Sequence, residues 1–394
     1  MEPCAITIVA DDLTGALDSA AQFTGRGLVV VVCLRAQCAD SAAVVAFDCD
    51  TRDRPMHEVL PALEEIVPLV RGLPYKKVDS TMRGAAGFEC AVLRKLLGLR
   101  GVLLAPSFPG AGRTLREGIL YVRGTPMPAR GAGWHSPAEP ASGETSEPAP
   151  GYWQLLDLAL VRAGPGPLYR RLSKAIGTIL ADAETDVDLR YLAWAGVRAG
   201  GWLLAGSAGL AGSLAEVLFG DRVEKPPSPP KPTLFVFGSA NAVSRQQVES
   251  LSAAGLAPVF SGGQSPEQLV AQMRTQLVAR GLAVGVMPPG KLNAQEAAAL
   301  QQALAQAAAA LAAQEGIRCV FLTGGQTARL VMEHLGVQTL WPRGEVEPGV
   351  VFSQARLPWG REIWFITKAG GFGGSELALQ LTGLKAQALE AHEA

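Results

Sequence analysis

Short apolar stretches, several of them rich in valine and isoleucine, recur along the first half of the chain and are separated by helical patterns. Their lengths are typical of strands, at residues 5–10, 29–33, 43–47, 74–78 and 101–105. Helical patterns follow or separate several of them, at 16–25, 57–71 and 87–97. This alternation predicts an α/β domain with a mainly parallel sheet flanked by helices.

The amino-acid composition of the chain changes at two places. Residues 124–151 are rich in Pro, Gly, Ser and Glu with little apolar periodicity, which predicts a long surface loop or a lid. Residues 225–232 are rich in proline, which lacks a backbone donor and favours an extended chain, as in a semi-rigid linker. We therefore predict one domain at 1–224, a linker at 225–232 and a second domain at 233–394.

The remaining patterns extend the same architecture. Before the linker they predict helices at 168–180 and 189–199 and a strand at 201–205. Beyond it they predict strands that run into small or polar turns, at 233–237, 282–287, 319–322 and 363–367. Because ligands of open α/β sheets gather at the carboxyl ends of strands, these turns are candidate binding elements. The alanine-rich helix at 293–314 is interpreted as scaffold.

Composition excludes several classes of partner. The 394-residue chain has a formal net charge of −1, so nucleic acid and anionic membranes are not predicted partners. The six cysteines lie in no C-x-x-C spacing, which favours free thiols in a reducing compartment over a zinc site (Cys4, Cys33, Cys38, Cys49, Cys90, Cys319). No signal peptide or membrane span is recognisable, and a cytoplasmic location is predicted.

Residues 76–84 concentrate polar chemistry in a chain that is 48% hydrophobic and only 18% charged. They contain two lysines, an aspartate, two hydroxyls and an arginine. Arginine offers a rigid fork for a carboxylate or phosphate and lysine a mobile point charge, so an anionic ligand with hydroxyl groups is indicated. A solvated turn after a strand is the alternative interpretation.

Three glycine-containing turns follow strands in the second half, at 238–241, 323–327 and 367–374. Bare backbone amides beside a helix N-terminus can hold phosphate oxygens, with Lys368 near the charge. Residues 285–291 also satisfy G-x-x-x-x-G-K, but Leu292 stands where a P-loop needs a hydroxyl, so we interpret that match as accidental.

Six segments in this order resemble the four-carbon acid sugar kinase family, and the resemblance spans nearly the whole chain: 10–16, 76–84, 105–109 with 112–114, 206–211, 323–327 and 368–373. It implies a sugar-acid-binding N-terminal domain, a nucleotide-binding C-terminal domain and an active site in the cleft between them. It also implies phosphorylation of threonate, erythronate or 3-oxo-tetronate from ATP, with Mg²⁺ carried by the nucleotide and no dedicated metal cage. A homodimer is one candidate assembly, and the sequence leaves the oligomeric state open.

The resemblance and the residues together suggest roles. A carboxylate should accept the proton of the attacking hydroxyl, and we favour Asp12 over Asp79 and Asp11, with a helix cap as the alternative for Asp12. The catalytic candidates are Asp12, Asp79 and Arg83. The substrate-binding candidates are Asp11, Thr14, Arg52, Lys76, Lys77, Ser80, Thr81 and Arg113. A surface ion pair is the alternative interpretation of Arg52 and of Arg113. The nucleotide-binding candidates are Gly238, Ser239, Asn241, Ser244, Gly324, Gly325, Gln326, Thr327, Lys368, Gly370, Gly371 and Gly373.

The chain departs from the family pattern at Ala85, Gln326 and Ala369, where the family usually has a polar or acidic residue, and along 124–151. These differences motivate a second hypothesis, a catalytically weak or inactive relative that binds sugar acid and nucleotide. A nucleotide-cofactor oxidoreductase is a third hypothesis. It is disfavoured because Asp11 and Asp12 follow the first strand where a G-x-G-x-x-G fingerprint would stand.

Overall fold

The computed structural model describes residues 4–36, 42–127, 153–224, 227–290, 292–314 and 316–384. It contains two compact units, Met1–Pro226 and Pro227–Ala394. The division falls within the proline-rich stretch 225–232. Most of the loop predicted at 124–151, and part of the linker, lie outside the described residues.

The first unit is built on a sheet in which every pair of neighbouring strands is parallel. In space the strands follow the order β2-β3-β1-β4-β11-β5-β10-β9. In chain order they are β1 (Ile6–Ala10), β2 (Val30–Cys33), β3 (Val44–Asp48), β4 (Leu73–Lys77), β5 (Gly101–Ala105), β9 (Gln154–Leu156), β10 (Gly177–Ala181) and β11 (Trp202–Gly206). Between β5 and β9 lies a small antiparallel sheet of β6 (Arg113–Arg116), β7 (Ile119–Val122) and β8 (Thr125–Pro126).

Helices connect these parallel strands. They are α1 (Leu13–Ala21), α2 (Met56–Ile66), α3 (Ala86–Leu96), α4 (Leu158–Arg162), α5 (Pro165–Lys174), α6 (Asp186–Ala199) and α7 (Ala208–Phe219). Strands β1, β5 and β11 are buried at every position, as expected of parallel strands covered on both faces. That burial explains why their sequences are continuous apolar runs.

The second unit has a mainly parallel sheet in the order β13-β14-β12-β15-β18-β17-β16. Its strands are β12 (Leu234–Phe237), β13 (Val259–Phe260), β14 (Ala283–Val286), β15 (Cys319–Thr323), β16 (Thr339–Glu347), β17 (Val350–Arg356) and β18 (Glu362–Lys368). Among the described strands of this unit, β17 is antiparallel to both of its neighbours, β16 and β18, and the other neighbouring pairs are parallel. The helices are α8 (Ala242–Ala253), α9 (Pro266–Arg280), α10 (Ala294–Ala312), α11 (Gly325–His334) and α12 (Leu377–Thr382).

Aromatic packing fills the core of the second unit. The ring of Phe321 on β15 lies 5.5 Å from the rings of both Phe235 and Phe237 on β12. All three side chains are buried. Because β12 and β15 are neighbours in the sheet, this cluster fixes the strand ends from which two of the glycine turns depart.

The predicted fold class, two α/β domains with mainly parallel sheets, is confirmed, but two details of the prediction are wrong. The helix predicted at 168–180 ends at Lys174, and Gly177–Ala181 is strand β10. Gly177 has φ of +87°, which a helix does not accommodate, and the apolar run after it is a buried strand. The prediction of free thiols is wrong at Cys33, which is disulfide-bonded, because its apolar context indicates burial and not the nearness of another thiol.

Within the described part of the chain, no helix combines the length and the apolar character needed to cross a lipid bilayer.

Candidate active site

Asp11 and Asp12 lie between the end of β1 and the start of α1. Asp12 is the N-cap of α1, and its Oδ1 accepts a hydrogen bond from the backbone N–H of Gly15 at 2.8 Å. Its Oδ2 accepts the hydroxyl hydrogen of Thr14 at 2.6 Å. The helix-cap interpretation of Asp12 therefore accounts for the contact of Oδ1 with Gly15. It does not account for Oδ2, which contacts Thr14.

Arg52, which follows β3, links three carboxylates. Its Nε and Nη2 donate to the two oxygens of Asp11 at 2.8 and 2.9 Å, and its Nη1 donates to Asp12 Oδ2 at 2.6 Å. Its Nη2 also lies 3.9 Å from Asp79 Oδ1. A bidentate arginine fixes both the position and the plane of a carboxylate, so Arg52 orients this acidic group.

Electrostatics keep the buried acids of this cluster ionised. Burial by itself would raise the pKa of Asp79, but Arg52, followed by Arg83, holds that pKa well below its ordinary value. The pKa of Asp11 is also lowered, because Arg52 and the two neighbouring lysines outweigh the effect of burial. Both carboxylates are therefore charged at neutral pH.

The segment after β4 turns back on Asp79. Arg83 donates from Nε and Nη2 to the Asp79 oxygens at 2.9 and 2.7 Å, and Thr81 donates its hydroxyl hydrogen to Asp79 Oδ2 at 2.5 Å. Met82 and Gly84 have positive φ values of 56° and 79°, which give the tight turn its shape. Ser80 is buried in the same turn. The arginine side chain is 58% exposed, so a solute can reach the guanidinium.

The two lysines at the end of β4 have different surroundings. Lys76 is completely buried and its ammonium forms an ion pair with Glu89 of α3, which raises the pKa of Lys76 despite its burial. Lys77 is also buried, but its ammonium lies beside Gly15 and the Asp12 carboxylate. The sequence does not distinguish the two lysines, and it does not single out Glu89 because α3 has the pattern of an ordinary helix.

Arg113 begins β6 and is largely buried, with its Nη1 donating to the carbonyl of Ala111 at 2.5 Å. Burial lowers the pKa of this guanidinium, and the charge of Asp79 acts in the opposite direction. The structure thus gathers Asp11, Asp12, Thr14, Arg52, Lys77, Asp79, Thr81 and Arg83 into one group, with Lys76 directed to Glu89.

In the second unit, three turns leave the carboxyl ends of adjacent parallel strands. The turn 238–241 joins β12 to α8, Gly324 joins β15 to α11, and 369–376 joins β18 to α12. The N–H of Gly238 donates to the carbonyl of Thr323 at 3.0 Å, and that of Gly324 donates to the carbonyl of Lys368 at 3.1 Å. The three turns therefore lie side by side at one edge of the sheet.

Close packing at this edge requires glycine. A Cβ at Gly370 would lie 2.9 Å from the Cβ atoms of both Ser239 and Asn241, and a Cβ at Gly238 would collide with the side chain of Thr327. Asn241 caps α8 by accepting the N–H of Val243 at 3.0 Å. The bare amides at the start of α8 and α11 are thus held beside the last glycine turn, an arrangement suited to phosphate oxygens.

Lys368 lies beneath the last turn. Its ammonium donates to the carbonyl of Gly370 at 3.2 Å and to Ser244 Oγ at 3.3 Å, while Ser244 Oγ donates to the same Gly370 carbonyl at 3.0 Å. Burial lowers the pKa of Lys368 to about 7, and Glu347 only partly opposes that effect. Lys368 and Ser244 therefore hold the glycine turn against α8.

The candidate residues around these turns differ in exposure. Thr327 is buried, and its Oγ1 accepts a hydrogen bond from Gln301 at 2.7 Å. Gln326 is exposed at the start of α11. Gly373 has a φ of +78°, and the following Gly374 N–H donates to the Glu347 carboxylate at 3.1 Å. Gln301 and Glu347 were not found by sequence reasoning, since they lie far from the turns along the chain.

A pocket of about 660 Å³ adjoins the turn 238–241 and the first turns of α8. Its wall combines the turn and α8 with apolar residues from the ends of β13 and β14 and from the segment that follows β14: Phe260, Val286, Met287, Pro288, Pro289 and Leu292. The sequence does not reveal this pocket, because such residues are usually core. Its one signal is the segment 285–291, which is interpreted above as an accidental P-loop match.

Among the residues that the structure describes, no group of three or more His, Cys, Asp or Glu side chains is arranged to hold a metal ion.

The two units match two known domain families. Residues 6–214 match the sugar-binding N-terminal domain family and residues 234–378 match the nucleotide-binding C-terminal domain family. The chain is similar to D-threonate kinases of Cupriavidus necator and Bordetella bronchiseptica, at 33% and 30% identity, over 94% and 95% of this chain and 95% and 96% of theirs. A 3-oxo-tetronate kinase of Methylobacterium radiotolerans is 27% identical over 94% of this chain and 97% of that protein.

Solved structures show the same fold. A Salmonella typhimurium LT2 protein superimposes with a TM-score of 0.72 at 20% identity, over 95% of this chain and 98% of that one. A Haemophilus influenzae protein gives a TM-score of 0.64 at 19% identity, over 96% and 99%. At these identities the likeness concerns the fold alone.

Proposed function

Because the chain belongs to the four-carbon acid sugar kinase family and is a phosphotransferase that acts on an alcohol group, we propose that it transfers the γ-phosphoryl group of ATP to a hydroxyl of a tetronate. D-threonate is the first candidate substrate, since the relatives that are 30% and 33% identical carry that name. Erythronate and 3-oxo-tetronate remain the other candidates.

The polar group of the first unit suits such a substrate. A tetronate carries one carboxylate and several hydroxyls, and Arg83 and Arg113 are the cations proposed to meet the carboxylate. Arg83 keeps an exposed guanidinium although it is paired with Asp79. Hydroxyl groups would hydrogen-bond to Thr81, Ser80 and the Asp79 carboxylate.

Asp12 is the proposed base. Arg52 and Thr14 hold its Oδ2, and the cap hydrogen bond from Gly15 holds its Oδ1, so the carboxylate is fixed before substrate arrives. Phosphoryl transfer depends mainly on positioning and charge neutralisation, which such a fixed group provides. In-line transfer requires the acceptor hydroxyl to meet the γ-phosphate, so an active site between the two domains stays a prediction.

The second unit is the proposed ATP site. The three adjacent glycine turns would bind the phosphates through backbone amides, and the apolar pocket beside turn 238–241 would take the base. Mg²⁺ would arrive with the nucleotide, since this ion keeps most of its water and phosphate ligands. Its contribution is to neutralise charge on the phosphates.

The observation that carries the proposal is the Asp12–Arg52–Asp11 group, lying within the unit that matches a sugar-binding domain. The test is a coupled assay of ADP release across threonate and erythronate stereoisomers and their 3-oxo forms. ADP release from ATP and Mg²⁺ is expected only with an acceptor present, and chelation with EDTA should abolish it.

Two results would contradict the proposal. ADP release that ignores the acceptor would indicate an ATPase. No release with any tetronate, combined with binding of both ligands by calorimetry, would support the inactive relative that Ala85, Gln326 and Ala369 motivate.

A further inference from the structure

Lys77 is a buried cation of the first unit whose ammonium is paired with no carboxylate among the described residues. Its residue is only 3% exposed. Arg52 pairs with Asp11 and Asp12, Arg83 with Asp79, and Lys76 with Glu89. Within the described ranges no hydrogen bond or ion pair engages the Lys77 ammonium. The charge of Lys77 acts on Asp11 and Asp79 without a direct contact, so its ammonium keeps hydrogen-bond donors for a ligand atom.

The position of Lys77 relative to Asp12 is set by Gly15. Lys77 Nζ and Asp12 Oδ1 each lie 2.7 Å from the point that a Cβ at residue 15 would occupy. The two atoms are therefore at most twice that distance apart, yet they form no direct ion pair. One oxygen atom at ordinary hydrogen-bond lengths of about 2.8 Å can reach both.

The two oxygens of Asp12 are not equivalent. Oδ2 accepts hydrogen bonds from Thr14 and Arg52, whereas Oδ1 accepts only the bond from the Gly15 N–H among the described contacts. A carboxylate oxygen can accept two hydrogen bonds, so Oδ1 keeps a lone pair for an incoming hydroxyl. That oxygen and Lys77 Nζ are the two atoms that lie 2.7 Å from the Cβ point of residue 15.

The geometry points to Lys77 as a further catalytic residue, which holds the acceptor hydroxyl of the sugar acid together with Asp12 Oδ1 above Gly15. This inference rests on the proposed function. The hydroxyl proton passes to Asp12 Oδ1, and the freed oxygen electron pair forms the new bond to the γ-phosphorus of the nucleoside triphosphate. The bond from that phosphorus to the bridging oxygen breaks, and its electrons leave with the diphosphate. The Lys77 ammonium donates to the attacking oxygen while negative charge develops there.

The experiment compares Lys77→Met, Lys77→Arg and Gly15→Ala in the full chain, with Lys174→Met as the matched control. Lys174 is an exposed lysine of α5, outside the site. We expect Lys77→Met to lower kcat about 100-fold or more, as loss of one donor to a developing oxyanion does. The KM for ATP should stay within about twofold, and the melting temperature should change little, because the Lys77 ammonium forms no hydrogen bond or ion pair within the described ranges.

Gly15→Ala tests the same geometry with the lysine intact. The added methyl group crowds both Lys77 Nζ and Asp12 Oδ1, so kcat should fall while circular dichroism stays native. Lys77→Arg keeps the charge in a different shape and should retain more activity than Lys77→Met. Either folded variant, Lys77→Met or Gly15→Ala, with kcat within about twofold of the unmodified protein would overturn the inference.

The inference and the proposed function fail in different ways. If the unmodified protein releases no ADP with any tetronate, the proposed function fails first. If it is active and Lys77→Met is equally active, only the role of Lys77 is lost. If Lys77→Met does not fold, Gly15→Ala alone decides the outcome, since its lysine is unchanged.

Discussion

At the scale of single residues, Asp12 combines a structural role as a helix cap with its proposed role as a base. It caps α1 through Oδ1 and meets Arg52 through Oδ2. Asparagine caps helices as well as aspartate does but cannot accept a proton at neutral pH. The two contributions can therefore be separated by one substitution.

We expect Asp12→Asn to lower kcat by a factor of roughly 100 to 10,000, because general-base loss acts on the transition state. The affinity for ATP should change little, whereas the melting temperature should fall because the substitution breaks the ion pair between Arg52 and Asp12. Steady-state kinetics, calorimetry and a thermal melt measure the three quantities. Near-normal turnover would move the role of base to Asp79.

Lys368 gives the nucleotide site a predicted pH dependence. Its pKa is lowered to about 7 by burial, so its amine is charged below that pH and neutral above it. A nucleotide anion favours the charged form, so the affinity for ADP should fall as the pH rises through about 7. Losing one charged hydrogen-bond donor predicts a change of roughly tenfold.

Calorimetry of ADP binding between about pH 6 and about pH 9 measures this effect. Lys368→Met provides the reference, because it retains only the titration of the nucleotide itself, and Lys368→Arg should bind ADP without the loss at high pH. Identical pH profiles for the unmodified protein and Lys368→Met would show that the lysine has only a structural role.

The sequence indicates which residues belong to the candidate site more often than it indicates which residues they contact. The acids after β1 and the cationic segment that begins at the end of β4 are visible as local clusters. The pairing of Arg52 with Asp11 and Asp12 was not, because about forty positions separate them and only the adjacency of β3 and β1 brings them together. The same holds for Lys76 and Glu89.

At the scale of elements, the parallel strands of both units were predictable because burial on both faces leaves uninterrupted apolar runs. The antiparallel pair β16 and β17 was missed. Its first strand contains Pro342 and Gly344 and several charged residues, and a register shift lies between Pro342 and Gly344. The apolar pocket was missed since its wall combines separate segments.

The last glycine turn supplies a prediction at this scale. Gly370→Ala should raise the KM for ATP at least roughly tenfold, because the methyl group collides with Ser239 and Asn241 and moves the turn away from α8. The KM for the sugar acid should be unchanged. Gly374→Ala is the matched control, since a Cβ there meets no atom within 4 Å. Equal effects of the two substitutions on the KM for ATP would exclude the turn 369–376 as a phosphate site.

At the scale of the whole molecule, the matches of the two units to a sugar-binding and a nucleotide-binding domain family predict one ligand for each unit. We expect a tetronate alone to slow amide hydrogen exchange at 11–15 and 79–84. ADP alone should slow exchange at 238–244, 324–327 and 369–373. Bound ligand stabilises the state that binds it, so protection should rise with ligand concentration.

Hydrogen exchange followed by mass spectrometry reads both units in one experiment, with acetate as the control for the tetronate. Protection of the first unit by ADP alone, with none in the second, would reverse the assignment of the domains. The order of the family motifs along the sequence supports this assignment of ligands to domains. The stereochemistry of the preferred acid and the contact between the two ligands depend on three-dimensional positions that the motif order does not give.

The closely packed glycine turns have an evolutionary consequence. When an anion is recognised by the peptide main chain, most side-chain replacements nearby leave the recognising groups in place. Positions such as Gln326 and Ala369 can then drift among relatives without loss of the ligand, whereas the glycines that permit the approach cannot. Selection at this site should therefore act mainly to keep the glycines, and less to keep the chemical type of the neighbouring side chains.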